Sequence, residues 1–253
     1  MSRTRRTRLL VAALVTTTAL TGCALQDELP DFPQAVPFET GVPAEPSPQP
    51  DGAPTTLSPD GFRTTERVAV RIRNVGCGGV GTGSGFAVGE NVLVTNRHVV
   101  AGAETLQLST YDGQDLLVET SGSAVVADLA LVRTRDALPA AVTLAEADPE
   151  VGEDVEIVGY PGGGRLTSSK GRVLGYQDDP LGANAGRVMV TDAEAQPGSS
   201  GSPVYDDRGH VVGVVYAASK DGDAALAVPV STLRQLLDSA SFDADAPCTR
   251  AGT

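Results

Sequence analysis

Two histidines and three cysteines in 253 residues leave little material for a metal centre, and no ligand set has the spacing a zinc or iron site needs. No cofactor is expected. Positive charge is also scarce. The formal net charge is −13, and losing the four arginines Arg3, Arg5, Arg6 and Arg8 with a cleaved leader takes it to about −17. Nucleic acid and anionic lipid surfaces would repel such a chain, so no nucleic-acid partner is expected; acidity instead aids solubility or favours basic substrates. The apolar run from Leu9 to Leu20 is too short for a permanent membrane-spanning helix. No internal repeat is visible. Gly162-Gly163-Gly164 lacks the Lys-Ser/Thr that a phosphate-cradling loop requires at the following positions.

What is abundant is glycine (29), proline (17) and Val-rich runs of four to eight residues. Short strands punctuated by turn signals point to an all-β sandwich or barrel. Strands are predicted over 67–73, 85–88, 91–95, 105–109, 115–119, 129–133, 154–158, 171–176, 188–191, 203–205, 211–216 and 224–228. One amphipathic helix follows, with Ser231 as its cap and Leu233, Leu236 and Leu237 at buried-face spacing. The roughly 190 residues after Gly61 suffice for one large β domain.

The most informative segment is Gly198-Ser199-Ser200-Gly201-Ser202-Pro203. A serine between glycines can expose its hydroxyl while neighbouring N–H groups converge on one point, as a nucleophile with an oxyanion hole requires. A flexible Gly/Ser loop is the plainer reading of these six residues alone. A serine needs a base. His210 lies in a polar hairpin tip, Asp206–His210, and reads as an exposed loop residue. His98 follows the apolar run Val92-Leu93-Val94, where a carboxylate can fix its ring. Asp128 sits within the apolar stretch Val125–Val132, where an acid is costly to bury unless paired. It either marks a strand break that reaches solvent or accepts from His98 and stabilises the imidazolium formed when Ser200 is deprotonated; the order His, Asp, Ser favours the second.

The segments TNRHVV, ADLALV and DAEAQPGSSGSPVYD resemble, in that order, the three catalytic blocks of trypsin-like serine proteases. They are most similar to bacterial HtrA-type and actinobacterial envelope proteases. GTGSGFAVGENVLVTN, DVEIVGYPGGG and GHVVGVVYA extend the likeness over about residues 65–240. The resemblance implies an all-β fold of two six-stranded antiparallel barrels with a short C-terminal helix. It further implies Ser200 as nucleophile, His98 as general acid/base, Asp128 as orienting carboxylate, and an oxyanion hole from the Gly198 and Ser200 amides. Walls of the primary substrate pocket would come from Glu194 and from Tyr216, Ala217 and Ala218. No PDZ-like module is expected after the closing helix. Protein or peptide substrates are the implied partners.

Three positions depart from the family pattern. Arg97 stands beside the histidine where a small residue is more usual, and reads as solvated. Ser199 replaces the Asp or Asn before the nucleophile. Ser202 replaces a glycine, as in glutamyl endopeptidases, but residues 213–218 lack the histidine those enzymes use, so glutamate specificity is not supported.

Residues 1–22 read as a lipoprotein signal peptide: a basic start, an apolar stretch and Leu20-Thr21-Gly22-Cys23, which resembles a lipobox. Cys23 would carry the diacylglyceryl group and hold the chain on the outer face of the cell membrane; ordinary cleavage and secretion is the alternative. Residues 23–61, acidic and Pro-rich, read as a disordered tether, and 62–253 as the protease domain. With Cys23 lipidated, Cys77 and Cys248 remain as a pair. A disulfide between them would close a loop of about 170 residues, a restraint of several kcal/mol in the chain-entropy model. Two function classes follow: an active lipid-anchored endopeptidase, or a protease-fold binding module that cleaves little.

Overall fold

The computed structural model describes residues 60–76, 78–123 and 127–239. The expectations for the signal peptide, most of the tether, Cys23, Cys77 and Cys248 lie outside the described residues.

Alternation sets the first strand. In β1 (Ala69–Gly76) Val70 and Ile72 turn inward and Arg71 and Arg73 outward, the period of two of a half-buried strand. It starts two residues later than predicted, because Thr64–Arg67 form a helical turn, α1. There the Glu66 carboxylate accepts from the Arg63 N–H at 2.8 Å, and the Arg63 guanidinium grips Glu156 at 2.7 and 3.0 Å.

β2 (Gly79–Gly89) and β3 (Val92–Thr95) follow, then a short helix α2 (Arg97–Val100). β4 (Ala103–Thr110), β5 (Asp115–Leu116), β6 (Val118–Ser123) and β7 (Ala130–Thr134) complete a seven-stranded antiparallel sheet, ordered β5-β4-β1-β2-β3-β7-β6. The expected single strand over 115–119 is two, which raises the count from six to seven. A closed six-stranded barrel comes next, ordered β10-β13-β12-β11-β8-β9. Its strands are β8 (Asp154–Gly159), β9 (Thr167–Asp178), β10 (Arg187–Thr191), β11 (Pro203–Tyr205), β12 (Val211–Ala218) and β13 (Ala225–Pro229). The all-β architecture of two antiparallel barrel-like sheets is the one expected.

Two local expectations are corrected. The strand expected over 85–88 begins earlier, at Gly79: a Cβ on Gly83 would lie 2.5 Å from Val99, and one on Gly85 would lie 2.9 Å from the Val94 carbonyl. The glycines therefore permit close approach within a strand. The final helix, α3 (Val230–Ser239), begins before Ser231. Its first turn is closed from outside, by Asp148 accepting from the Ser231 N–H at 2.9 Å and the Ser231 hydroxyl at 2.7 Å. Leu233 and Leu236 are buried as expected, and Leu237 partly so. Among the described residues no helix is long and apolar enough to cross a membrane.

Candidate active site

β3 ends at Thr95, and the chain turns at Asn96 into α2, which carries His98 at its second position. Asn96 is fully buried and donates through Nδ2 to the Asp128 carbonyl at 2.8 Å. Val99 and Val100 anchor α2 in the core, while His98 and Arg97 stay exposed. Below them, the buried Asn74 amide donates to the Val99 and Ala101 carbonyls at 2.9 and 3.0 Å.

Asp128 lies in a bend just before β7, so the strand does break there. It nevertheless stays buried, at 8% exposure, and is bonded on every side. Its Oδ1 accepts from the His98 N–H at 3.0 Å, its Oδ2 meets His98 Nδ1, and its own N–H donates to Asn184 Oδ1 at 3.0 Å. The two sequence readings of Asp128 thus coexist: the strand breaks so that the carboxylate can face the histidine. With Nδ1 engaged, Nε2 is left as the nitrogen able to take up a proton.

Ser200 sits between β10 and β11 on a turn built by glycines. Gly198 has φ +95°, and a Cβ there would lie 2.7 Å from the Gly162 N and the Tyr160 O. Gly201 has φ +87°, and a Cβ there would lie 2.0 Å from the Ser84 carbonyl oxygen. Only glycine satisfies both the dihedral and the space at these two places. The triple glycine at 162–164 is the other half of this contact: the Gly162 N–H donates to the Pro197 carbonyl at 2.6 Å, so the segment backs the serine turn.

Ser84, fully buried on β2, grips the rear of that turn. Its hydroxyl donates to the Gly198 carbonyl at 2.8 Å and accepts from the Tyr160 N–H at 2.9 Å; its N–H donates to the Ser200 carbonyl at 2.8 Å. Thr95 in turn donates to the Ser84 carbonyl at 2.7 Å. With the carbonyls of 198 and 200 held behind, the N–H groups of Gly198 and Ser200 have no acceptor among the described residues. Two unpaired amides flanking a hydroxyl can receive a developing oxyanion. Ser199 is buried, its Oγ accepting from the Gln196 N–H at 3.1 Å.

The Ser200 hydroxyl makes no hydrogen bond to His98 among the described residues. It donates to the Tyr216 carbonyl at 3.4 Å, a long bond. Tyr216 itself is buried, and its phenol donates to Asp179 Oδ1 at 2.6 Å. Asp179 Oδ2 accepts from Asn184 N and Nδ2 at 2.8 and 3.0 Å, and Asn184 reaches the Asp128 N–H. A continuous network therefore joins Asp128 to the strand beside Ser200. Burial pushes the Tyr216 phenol up, and its bond to the Asp179 anion adds to this. Burial alone would raise the Asp179 carboxyl, but the bonds from Tyr216, Leu181 and Asn184 outweigh it and hold the carboxyl below its usual value.

Of the expected pocket residues, Ala217 and Ala218 are half-buried on β12, while Glu194 is exposed on the loop before Ser200. Next to that loop the 219–224 turn closes in, with the Ala195 N–H bonded to the Gly222 carbonyl at 3.0 Å. His210 is half-buried beside Asp206, whose carboxylate also accepts its N–H at 2.7 Å. Among the described residues no group of His, Cys, Asp and Glu could hold a metal. The residues that sequence reasoning missed are Ser84, Asn96, Asp179 and Asn184. Only Ser84 carries a local signal, a polar side chain between two glycines in a strand.

The family model of the trypsin-like peptidase domain matches residues 83–214, just over half of the chain. Serine protease Rv3671c of Mycobacterium tuberculosis is 32% identical over 167 residues, covering 62% of this chain and 42% of that protein. Serine protease Do-like HtrA of Bacillus subtilis is 33% identical over 147 residues, covering 53% and 33%. This chain spans about two fifths or less of the length of these relatives. Among solved structures, the active form of the Rv3671c protease of M. tuberculosis superposes with a TM-score of 0.63 at 25% identity, covering 74% of this chain and 87% of that one. The match spans His98, Asp128 and Ser200 together with the close-approach glycines at 83, 85, 198 and 201, and on it the chain belongs to the trypsin-like peptidase family.

Proposed function

We propose that this chain is an exported serine endopeptidase of HtrA type that hydrolyses peptide bonds through an acyl-enzyme on Ser200. The observation that carries the reading is the pair of hydrogen bonds between His98 and the buried Asp128, in a site whose serine turn presents two unpaired amides. His98 Nε2 takes the Ser200 proton as the hydroxyl attacks the carbonyl carbon, and returns it to the leaving amine. Asp128 holds the ring and stabilises the imidazolium, and the N–H groups of Gly198 and Ser200 bind the oxyanion. Water then enters and its oxygen bonds the acyl carbon as His98 takes its proton; the acyl bond to Ser200 breaks, His98 returns the proton to Ser200 Oγ, and the acid is released.

The relatives named serine proteases, and one named a probable periplasmic endoprotease, support protein substrates outside the cytoplasm. Lipidation at Cys23, a tether over 23–61 and a Cys77–Cys248 disulfide complete the reading. Release of a Cys23→Ala variant from the membrane fraction tests the anchor. Non-reducing peptide mapping tests the bridge, and two free thiols there would refute it.

One observation favours a second reading, a weakly cleaving binding module: the Ser200 hydroxyl leans on Tyr216 rather than on His98. A fluorophosphonate probe decides between them. Labelling of the wild type and none of Ser200→Ala supports the peptidase; no labelling of either at neutral pH supports the binding module.

A further inference from the structure

Beside the serine turn, on the outer face of the first sheet, lies a small polar cavity of about 340 Å³. Its walls carry two arginines, Arg71 and Arg73, exposed on the outward side of β1. Cross-strand pairing fixes their neighbours: Arg73 opposes Thr82 and Gln107, and Arg71 opposes Ser84 and Ser109. The arginines are spread by neutral acceptors, Nε of Arg71 to the Ser109 hydroxyl at 3.2 Å and Nη1 of Arg73 to Gln107 at 3.5 Å. Neither is in an ion pair among the described residues, although Asp115 also lines the cavity. Burial raises the Tyr160 phenol to about 12, against the opposing pull of Arg71.

The cavity's position relative to the serine is set by three close approaches. Gly163 forms part of its wall, and a Cβ there would lie 2.7 Å from Thr82. A Cβ on Gly198 would lie 2.9 Å from the Gly163 N, so the same wall adjoins the serine turn. Gly83, next to Thr82, presses on Val99, one residue beyond His98. The cavity thus lies over β1, β4 and β5 and meets β2 and the 161–163 turn at Thr82 and Gly163, the edge nearest the serine turn. Tyr216, the partner of the Ser200 hydroxyl, is on β12 in the other barrel. A histidine gives its proton to the departing amine, so the leaving segment of a substrate exits on the histidine's side of the serine. On that side β2 packs against Val99 through Gly83, and β1 with Arg71 and Arg73 is the next strand, so a segment crossing β2 would meet the two arginines.

We propose that Arg71 and Arg73 form a leaving-group-side subsite that binds a carboxylate of the substrate a few residues beyond the scissile bond. The proposal rests on the peptidase reading above. Guanidinium forks match carboxylate geometry, and a substrate carboxylate would give the two arginines the ion pair that neither makes with Asp115. The carboxylate comes either from an Asp or Glu side chain or from the substrate's own C-terminus.

Internally quenched peptides with one acyl-side sequence and varied leaving-side residues test this. One pair compares Glu with Gln in C-terminally amidated peptides; another compares a free C-terminus with an amide in peptides lacking acidic residues. The wild type is expected to cleave the carboxylate member of at least one pair with about tenfold higher kcat/KM, and which pair responds identifies the source. The advantage should shrink between 50 mM and 500 mM salt. In Arg71→Gln/Arg73→Gln it should fall to about one. Because the ratio is read within each variant, any general loss of activity cancels. Equal cleavage within both pairs by the wild type, or a preference that survives in the double variant, overturns the proposal. Fluorescence anisotropy of labelled Glu and Gln leaving-side peptides on Ser200→Ala needs no turnover. Tighter binding of the Glu peptide, or of the free C-terminus over its amide, supports the subsite even if the fluorophosphonate test fails. Equal binding refutes it independently of that test.

Discussion

Ser84→Ala removes one oxygen from a strand of the first barrel, yet should be felt at the oxyanion site of the second. The Ser84 hydroxyl is fully buried and satisfies two backbone groups, donating to the Gly198 carbonyl and accepting from the Tyr160 N–H. Alanine leaves both unpaired. Each buried orphan costs about 1–3 kcal/mol, so a total of about 2–4 kcal/mol is expected, allowing for partial relaxation. The kinetic effect follows from direction. Freed at its carbonyl, the Gly198–Ser199 peptide can rotate, and the neighbouring amides lose their alignment. Loss of a whole oxyanion donor costs about a hundredfold to a thousandfold in kcat, so misalignment should cost about tenfold to a hundredfold. The loss should fall on kcat with KM little changed, because the oxyanion exists only along the reaction path. Steady-state kinetics on one peptide and urea denaturation of the same samples measure both effects. A variant that loses stability while keeping kcat within twofold of the wild type would sink the positioning argument. Unchanged stability would sink the account of the hydrogen bonds as well.

Two further predictions concern strain and pH. Gly201→Ala places a Cβ 2.0 Å from a backbone oxygen at φ +87° and should cost about 3 kcal/mol or more, whereas Gly209→Ala, at φ +78° with its nearest atom 3.6 Å away, should cost only about 1 kcal/mol; chemical denaturation ranks them, and equal costs would contradict the close-approach account. The Asp179 carboxyl titrates below its unfolded value of about 3.9, so its contribution to stability is complete above that pH and is lost as pH falls through the lower folded value. Asp179→Asn should therefore be less stable than the wild type at pH 6, with the gap closing toward pH 3. Urea midpoints across that range check it, and a pH-independent gap would mean that the charge of Asp179 is irrelevant.

Local pattern made much of this molecule legible. Val-rich runs bounded by glycine located the strands, with ends shifted by a few residues, because side-chain alternation is a property of consecutive residues. Asp128 was conspicuous because an acid in an apolar run needs a partner, and one of only two histidines stood ready to supply it. The glycines ahead of residue 85 hid the start of β2 for an instructive reason. Local propensity treats glycine as a turn former, whereas here it is required by atoms of Val99 and Val94 that arrive from later in the chain. Ser231 misled similarly: it has the composition of a cap, but Asp148 from a distant loop closes the helix first turn.

By itself the sequence determined the strand content, the order His98, Asp128, Ser200 and the grouping of these candidate residues as one constellation, since these depend on residue type and spacing. Tertiary structure alone decided how the constellation is held. Ser84 reaches the Gly198 carbonyl across 114 positions of chain, and Asn184 reaches Asp128 across 56. It also set the Ser200 hydroxyl on Tyr216 and left Arg71 and Arg73 bonded only to neutral acceptors in a cavity whose wall reaches Gly163. Hydrogen bonds and close approaches of this kind depend on where two barrels meet, and no run of neighbouring residues encodes that meeting place.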